Sequence, residues 1–562
     1  MRVFSWIGAL LLVVAAVPAQ AYTHHKGPVR WQEYAQTAFE RARSEGKPVF
    51  MVVSAVWCFN CKIYEETSLA DPRVARLLNE SYVPVFVDYD RRPDIARRYP
   101  GPGIPVTVVF APDGTPLVSV PGVIPADQLL ANLRRTLAYL EEGYRPETRA
   151  REAEPTGPAA PPAPEVLERY RQGFGDTLWR ARDPAFGGFG LAQKEPRAEV
   201  LRRLVERFRG GETRWDEWLR TTLDHVLGRA QRPARRTRPP FQLLLELRRQ
   251  DTRRLDGVDA LQTDHLLAGL LDPVEGGFFR YATRRDWTVP HFEKMLFDNA
   301  ALIDLLLAAH RAWPDRGYRS PAVATARYVG RRLFDPTEGR FLGSQVADEV
   351  YYHLTGEERS RVAPPAVDPT TYAAPSARAA IALLNAARAG GDPGLRRTAL
   401  AGLGFLVDRM LGPNGVWSYY DPRDGRARLD GQLRDNAWVA AALVRALEEE
   451  PGGPYRKALD RVLAILEERL FDPAEGGFFA RRSTSQDLYR ADELFSPDKP
   501  FEENALAAWV FLRAHRITRN DRHLELARLT AGHLLRRVEA GRAEPVSPYL
   551  DRVAARLLGS GR

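Results

Sequence analysis

The sequence predicts a multidomain chain in which an N-terminal α/β domain precedes an all-α ring of helix hairpins. Three observations predict it. Between Gly46 and Leu140 short apolar runs alternate with helical stretches, and a Pro/Ala-rich break follows from Glu147 to Pro164. Beyond that break helical periodicity dominates, and one glycine turn recurs.

In the first domain, Lys47 to Ser54 (KPVFMVVS) is a buried-strand run, and a turn holding two cysteines leads into a helical stretch through Glu66. Tyr82 to Asp90, Val106 to Gly114 and Leu117 to Gly122 supply three more strands, the last two joined by an Asp-Gly turn. Asp127 to Glu142 then has helical periodicity.

In the second part the turn D-P-x-x-G-G-F begins at Asp183, Asp272 and Asp472, with a variant at Asp335 and an echo at Leu411. Paired glycines permit positive φ and end helices, and the Phe returns the chain to the core. Asp298-Asn299-Ala300, Asp435-Asn436-Ala437 and Glu503-Asn504-Ala505 each open an apolar helix. The last such steps are about 60–70 residues long, room for two helices and their connections. Each hairpin must bury its apolar face on neighbours, so the pattern predicts an (α/α)6 toroid over residues 165–562.

The chain begins with Arg2, an apolar run from Ile7 to Val17 and the small-x-small site Ala19-Gln20-Ala21, the order of a cleavable signal peptide at 1–21. The apolar run is shorter than the roughly 20 residues a bilayer span needs. An uncleaved N-terminal anchor is the alternative. No later segment reads as a membrane helix, so the expected location is outside the cytoplasm, periplasmic or extracellular. The remaining bounds are 22–146 for the α/β domain and 147–164 for the linker.

The net charge of +9 is spread along the chain, with one dense stretch from Arg229 to Pro240 that reads as a solvated loop or as a contact for an anionic partner. Nucleic acid is not expected, since no nucleic-acid module is recognisable.

The chain has only two cysteines, Cys58 and Cys61. So small a loop restrains a large chain little, so chemistry explains the pair better than stability. The strand-to-helix turn at Trp57 puts Cys58 at a helix start, where a thiolate is stabilised, with Cys61 one turn in and Lys62 adding positive charge. Gly103-Ile104-Pro105-Val106-Thr107 suits a cis-proline loop beside the pair. An inert pair, or half of a zinc site, is the alternative; no second cysteine pair exists, so no metal is expected. The redox-active Cys58–Cys61 disulfide is the one cofactor-like group implied.

These residues carry a resemblance. KPVFMVVSAVWCFNCKIYEETSLADPRVARLLNESYVPVFVDYD and GIPVTVVFAPDGTP resemble thioredoxins, above all the C-terminal thioredoxin-like domain of the disulfide reductase DsbD. The resemblance implies that Cys58 attacks, Cys61 resolves, Pro105 is the cis-proline and Glu65 is the acid near the cysteines. It also implies protein thiol or disulfide clients and an upstream reductase as partners. Val52 stands where thioredoxins place a buried Asp, which moves the task of deprotonating Cys61 to Glu65 or water.

The stretches Gly187 to Arg197 and Asp272 to Leu302 resemble the spermatogenesis-associated thioredoxin-like family and its bacterial YyaL-type relatives. These join such a domain to a six-hairpin toroid related to sugar epimerases. That family commonly has histidines around its cysteine pair; here Phe59, Asn60 and Lys62 stand there.

His291, Glu293, Lys294, Asp298 and Asn299 form the densest polar group of the toroid, and Asp435, Asn436, Glu503 and Asn504 repeat its end. As cavity residues they suit proton transfer, with Trp287, Trp417, Trp438 or Trp509 stacking on a sugar. As architecture, the repeated Asp-Asn pairs are helix N-caps. Two functions therefore follow. One is a thiol–disulfide oxidoreductase whose toroid binds a client or glycan; the other is a carbohydrate-binding or carbohydrate-processing toroid with an accessory thioredoxin-like domain.

Overall fold

The computed structural model describes residues 24, 27–99, 103–143, 155–230, 242, 268–348, 350–481 and 498–559. The expected signal peptide, the linker up to residue 154 and the basic stretch from residue 231 lie outside them.

The N-terminal domain is built on one five-stranded sheet. Its strands are β1 (Gln32–Glu33), β2 (Val49–Ser54), β3 (Val83–Asp88), β4 (Val106–Phe110) and β5 (Pro116–Pro121), in the order β1-β3-β2-β4-β5. β1 and β2 run parallel to β3, β4 antiparallel to β2, and β5 antiparallel to β4. All six residues of β2 are buried, because helices cover both faces. Val49, Met51 and Val53 face a core closed by Ala38 and Ala42 of helix Gln36–Glu45. Phe50 and Val52 face the other core, with Tyr64, Leu78 and Leu133. Val52 thus fills the position of the missing Asp with a methyl-bearing core contact.

β1, helix Gln36–Glu45 and helix Pro72–Ser81 were absent from the sequence reading. Helix Gln36–Glu45 buries only two alanines, which give little periodic contrast. Helix Pro72–Ser81 carried a signal in Asp71, whose side chain accepts the Arg73 N–H at 2.8 Å, followed by Pro72.

The second part is the predicted toroid. Inner helices Ala198–Arg209, Leu296–Ala312, Ala373–Gly390, Leu433–Glu449, Phe501–Thr518 and Pro548–Gly559 pack each on the next, and the last returns to the first. Outer helices Pro164–Ala181, Asp216–Val226, Arg319–Arg332, Pro393–Met410, Arg456–Ile465 and Asp521–Glu539 sheathe them. The middle inner helices are buried almost all round, as the innermost layer demands. The ring also carries a short sheet. Gly415–Asp421 and Arg426–Asp430 form a hairpin that joins Thr371–Tyr372 and Leu411–Gly412 in a four-stranded sheet.

The recurrent turn is a staple with three parts. Asp272 Oδ1 accepts the Val274 N–H at 3.0 Å, while Oδ2 takes Lys294 Nζ at 2.7 Å. Asn299 Oδ1 accepts the Phe278 N–H at 2.6 Å and its Nδ2 donates back to the Phe278 carbonyl at 3.0 Å. Asp472, Lys499, Asn504 and Phe478 repeat every one of these roles. Gly277 has φ +78°, and a Cβ there would stand 2.5 Å from the Tyr328 ring, so the turn requires glycine. Among the described residues no helix is long and apolar enough to cross a membrane.

Candidate functional site

β2 ends at Ser54 and the chain turns through Trp57 into helix Phe59–Glu66. Cys58 is the N-cap, and its Sγ accepts the Cys61 N–H at 3.1 Å. A disulfide joins Cys58 and Cys61 across Cα atoms 5.2 Å apart. The Ile104–Pro105 peptide is cis, and Cys58 Sγ lies 3.6 Å from the Ile104 carbonyl oxygen. Cys58 at the helix start and Pro105 beside it therefore stand as expected.

Beneath the pair lies a residue the sequence reading missed. His24 sits between two carboxylates, with Nδ1 2.9 Å from Glu65 Oε1 and Nε2 3.1 Å from Asp88 Oδ2. Burial opposes its charge, but the hydrogen bonds to Asp88 and Glu65 prevail and raise its pKa to about 9. Glu65 also accepts the Ser54 hydroxyl at 2.5 Å, so it is held from two sides. Lys62 lies at the surface, 3.9 Å from Glu66. Trp57 Nε1 donates to Asp90 at 2.5 Å, and burial pushes that carboxyl up to about 7.

The toroid covers the pair from above. Met295 and Val346 pack with Val56, Trp57, Cys58 and Ile104 into one apolar cluster, leaving Cys58 5% and Cys61 0% exposed. The Arg280 guanidinium lies 4.4 Å over the Trp57 ring. Glu293 Oε1 accepts the Phe59 N–H at 3.4 Å, and its Oε2 is 2.7 Å from His291 Nδ1. The carboxyl is buried, which disfavours its charge, yet His291 and Arg280 hold its pKa below the usual range. The His291 ring stacks on Tyr281 with centroids 4.7 Å apart. Arg91 reaches Asp421 at 3.1 Å and Thr370 at 3.0 Å, fastening the domains a second time.

Glu293, read as a cavity residue, therefore meets the backbone between the two cysteines, with His291 behind it. Lys294, Asn299 and Asn504 belong to the staples, and Asn436 likewise accepts the Val416 N–H at 3.1 Å. The expected N-caps need the same correction. The caps are Met295, Gln432 and Pro500, none with a side-chain cap bond, and each Asn sits four residues further on, where it ties back the preceding turn. Asp298 and Glu503 do line a central cavity of about 600 Å³ together with Arg280, Arg434 and Trp438. Burial pushes Asp298 up to about 6, Glu503 pairs with Arg97 of the N-terminal domain, and Asp435 accepts the Ser418 hydroxyl at 2.5 Å. Trp287 is core, donating to the Phe186 carbonyl at 2.9 Å, and Trp417 packs against the core. Trp438 and Trp509 do reach cavities. Among the described residues no cluster of three metal-binding side chains occurs.

An α/β sheet with CxxC at a helix start, a cis-proline beside it and a six-hairpin toroid together define the kind of molecule this is. Residues 18–153 match the Thioredox_DsbH family. That family is described as protein of unknown function, DUF255. Mouse (Mus musculus) spermatogenesis-associated protein 20 is 30% identical over 350 residues, covering 58% of this chain and 39% of that protein. The chain thus matches well under half the length of that relative. The thiol:disulfide interchange protein DsbD of Pseudomonas fluorescens is 32% identical over 98 residues, covering 17% of this chain and 16% of that protein. In fold alone, the chain is similar to cellobiose 2-epimerase from Bacillus thermoamylovorans, at 10% identity and TM-score 0.49 over 71% of this chain and 100% of that one. The chain therefore joins a domain that matches the DsbH-type thioredoxin-like family model to a toroid of six helix hairpins.

Proposed function

We propose that the protein is an exported thiol–disulfide oxidoreductase, acting in the periplasm or outside the cell, with Cys58 as the attacking and Cys61 as the resolving sulfur. The observation that carries this reading is Cys58 at the N-cap, its sulfur facing the helix amides and accepting the Cys61 N–H. Those donors stabilise a Cys58 thiolate. That thiolate attacks a client disulfide, forms a Cys58–client bond and releases one client sulfur as thiolate. Cys61 thiolate then attacks Cys58 Sγ, closing the Cys58–Cys61 disulfide and releasing the second client thiolate. Two electrons pass to the client, and a dithiol donor restores the pair by the reverse exchange. The loops bearing Met295 and Val346 cover the face beside Pro105, so the toroid selects which clients reach Cys58.

The test is a trap on the full chain. Cys61→Ser should accumulate disulfide-linked clients on Cys58, and Cys58→Ser should accumulate none. If the wild-type pair stays unreactive across glutathione and dithiothreitol buffers, the proposal fails.

A second reading is favoured by the central cavity, where Asp298, poised near neutral pH, faces Arg280, Arg434 and Trp438. In it the toroid binds or processes a carbohydrate by acid–base chemistry. Retention of ligand turnover by a Cys58→Ser/Cys61→Ser chain, together with its loss in Asp298→Asn, would establish that reading over the first.

A further inference from the structure

Two cavities flank the middle of the toroid, divided by a shared wall. Trp438, Leu506 and Tyr549 line both the cavity under the thioredoxin-like domain and a second one, of about 610 Å³, at the opposite end. The two differ in charge. Nine arginines but only three carboxylates, Glu206, Asp304 and Glu448, line the far cavity.

Those carboxylates are already engaged. Glu206 pairs with Arg552 at 2.9 Å, Asp304 with Arg378 at 2.6 Å and Glu448 with Arg513 at 2.6 Å. Arg445 pairs with Glu449, and Arg203 with Asp551. Arg202 shares Asp304 and Glu206. Arg311, Arg516 and Arg556 are left exposed at the rim, with no carboxylate within 4.0 Å among the described residues. Partial burial and the charges of Arg202 and Arg209 lower the pKa of Arg311, the mark of a local cationic excess.

Helix dipoles explain part of this excess, since the inner helices end here and each last turn carries about half a negative charge. They do not explain all of it. The inner helix Leu433–Glu449 ends in glutamates, the reverse of what dipole compensation favours. Guanidinium forks match carboxylate and phosphate oxygens in pairs, and the half-buried Trp509 lines the same wall.

We propose that this open end of the toroid binds an anionic saccharide, its charges carboxylate or phosphate, held by Arg311, Arg516 and Arg556. The site is separate from the dithiol and from the central cavity, and the proposal stands whichever reading of those is right.

The test is calorimetric titration of the full chain at low salt with trigalacturonate, glucose 1,6-bisphosphate and, as neutral control, maltotriose. At least one anion should bind, and added salt should weaken it. Arg311→Ser/Arg516→Ser/Arg556→Ser should bind roughly tenfold more weakly or worse, at an unchanged melting temperature. Each single substitution should lose part of that effect, which keeps the test decisive if the triple variant folds poorly. Binding of trigalacturonate alone assigns carboxylate as the recognised group, and binding of the bisphosphate alone assigns phosphate. The proposal is overturned if neither anion binds, if maltotriose binds as tightly, or if the arginine variants bind like the wild type.

Discussion

The second and last repeats of the toroid carry the same staple and use it differently. Asp272, Lys294 and Asn299 make the contacts that Asp472, Lys499 and Asn504 make. In the second repeat the intervening chain also carries Arg280 and Glu293, which reach across to Trp57 and Phe59, and His291, which backs Glu293. Recurring residues hold the ring together, and the residues that break the repeat meet the redox pair. Substitution at the two kinds of position should therefore separate stability from thiol chemistry.

The largest expected effect lies on the recurring side. Lys294 and Asp272 side chains are 0% exposed, whereas Lys499 and Asp472 are 8% and 15% exposed. Lys294→Met leaves Asp272 buried with Arg359 as its remaining cation, and should cost about 3–5 kcal/mol in denaturant unfolding. Lys499→Met should cost clearly less, and both should leave Cys58 reactivity unchanged. Equal losses would mean that burial does not separate the two staples.

His24 lies on the other side of the dithiol and should combine both kinds of effect. His24→Ala leaves Glu65 and Asp88 without their shared cation, at a cost of about 3 kcal/mol. The sign with pH follows from the raised pKa. His24 stabilises the fold fully below its unfolded value of about 6.5, and loses that contribution as pH rises through about 9. Unfolding of wild type and variant at pH 6 and pH 10 should show the gap closing at the higher pH. A constant gap would show that the imidazole acts by packing alone.

A smaller effect is expected at the asparagines. Asn299→Ala and Asn504→Ala each orphan a buried N–H and carbonyl, of Phe278 and Phe478, and should cost about 1–3 kcal/mol apiece. Because the bonds match, the two losses should agree closely, unlike those at the lysines.

Legibility followed the same division. The strands were readable because β2 is apolar at almost every position, and the ring because turn and helix start repeat. Residue type and spacing marked Lys294 and Asn299 as unusual but could not show which way they point, and both turned out to serve the turn before them. His24 lies 34 residues before Cys58, and no spacing rule links it to the pair. The packing of Met295 and Val346 on Cys58 is a property of how two domains dock, which neither domain's own periodicity encodes.

The smallest effect on stability should accompany the clearest effect on chemistry, at Glu293. Its carboxylate takes the Phe59 N–H, one of the amides that stabilise a thiolate at the start of this helix. It is ionised at neutral pH, because His291 and Arg280 keep its pKa low despite burial. A fixed negative charge beside the N-terminus opposes a second one on Cys58 and so raises the thiol pKa. Glu293→Gln keeps the size and can still accept from Phe59, but removes the charge. The Cys58 pKa should fall by up to about one unit, and alkylation near neutral pH should quicken roughly two- to fivefold. The pH dependence of iodoacetamide labelling in the reduced full chain reads this directly. An unchanged profile in Glu293→Gln would mean that the toroid only shields the dithiol, whereas a lowered Cys58 pKa would show that it tunes it.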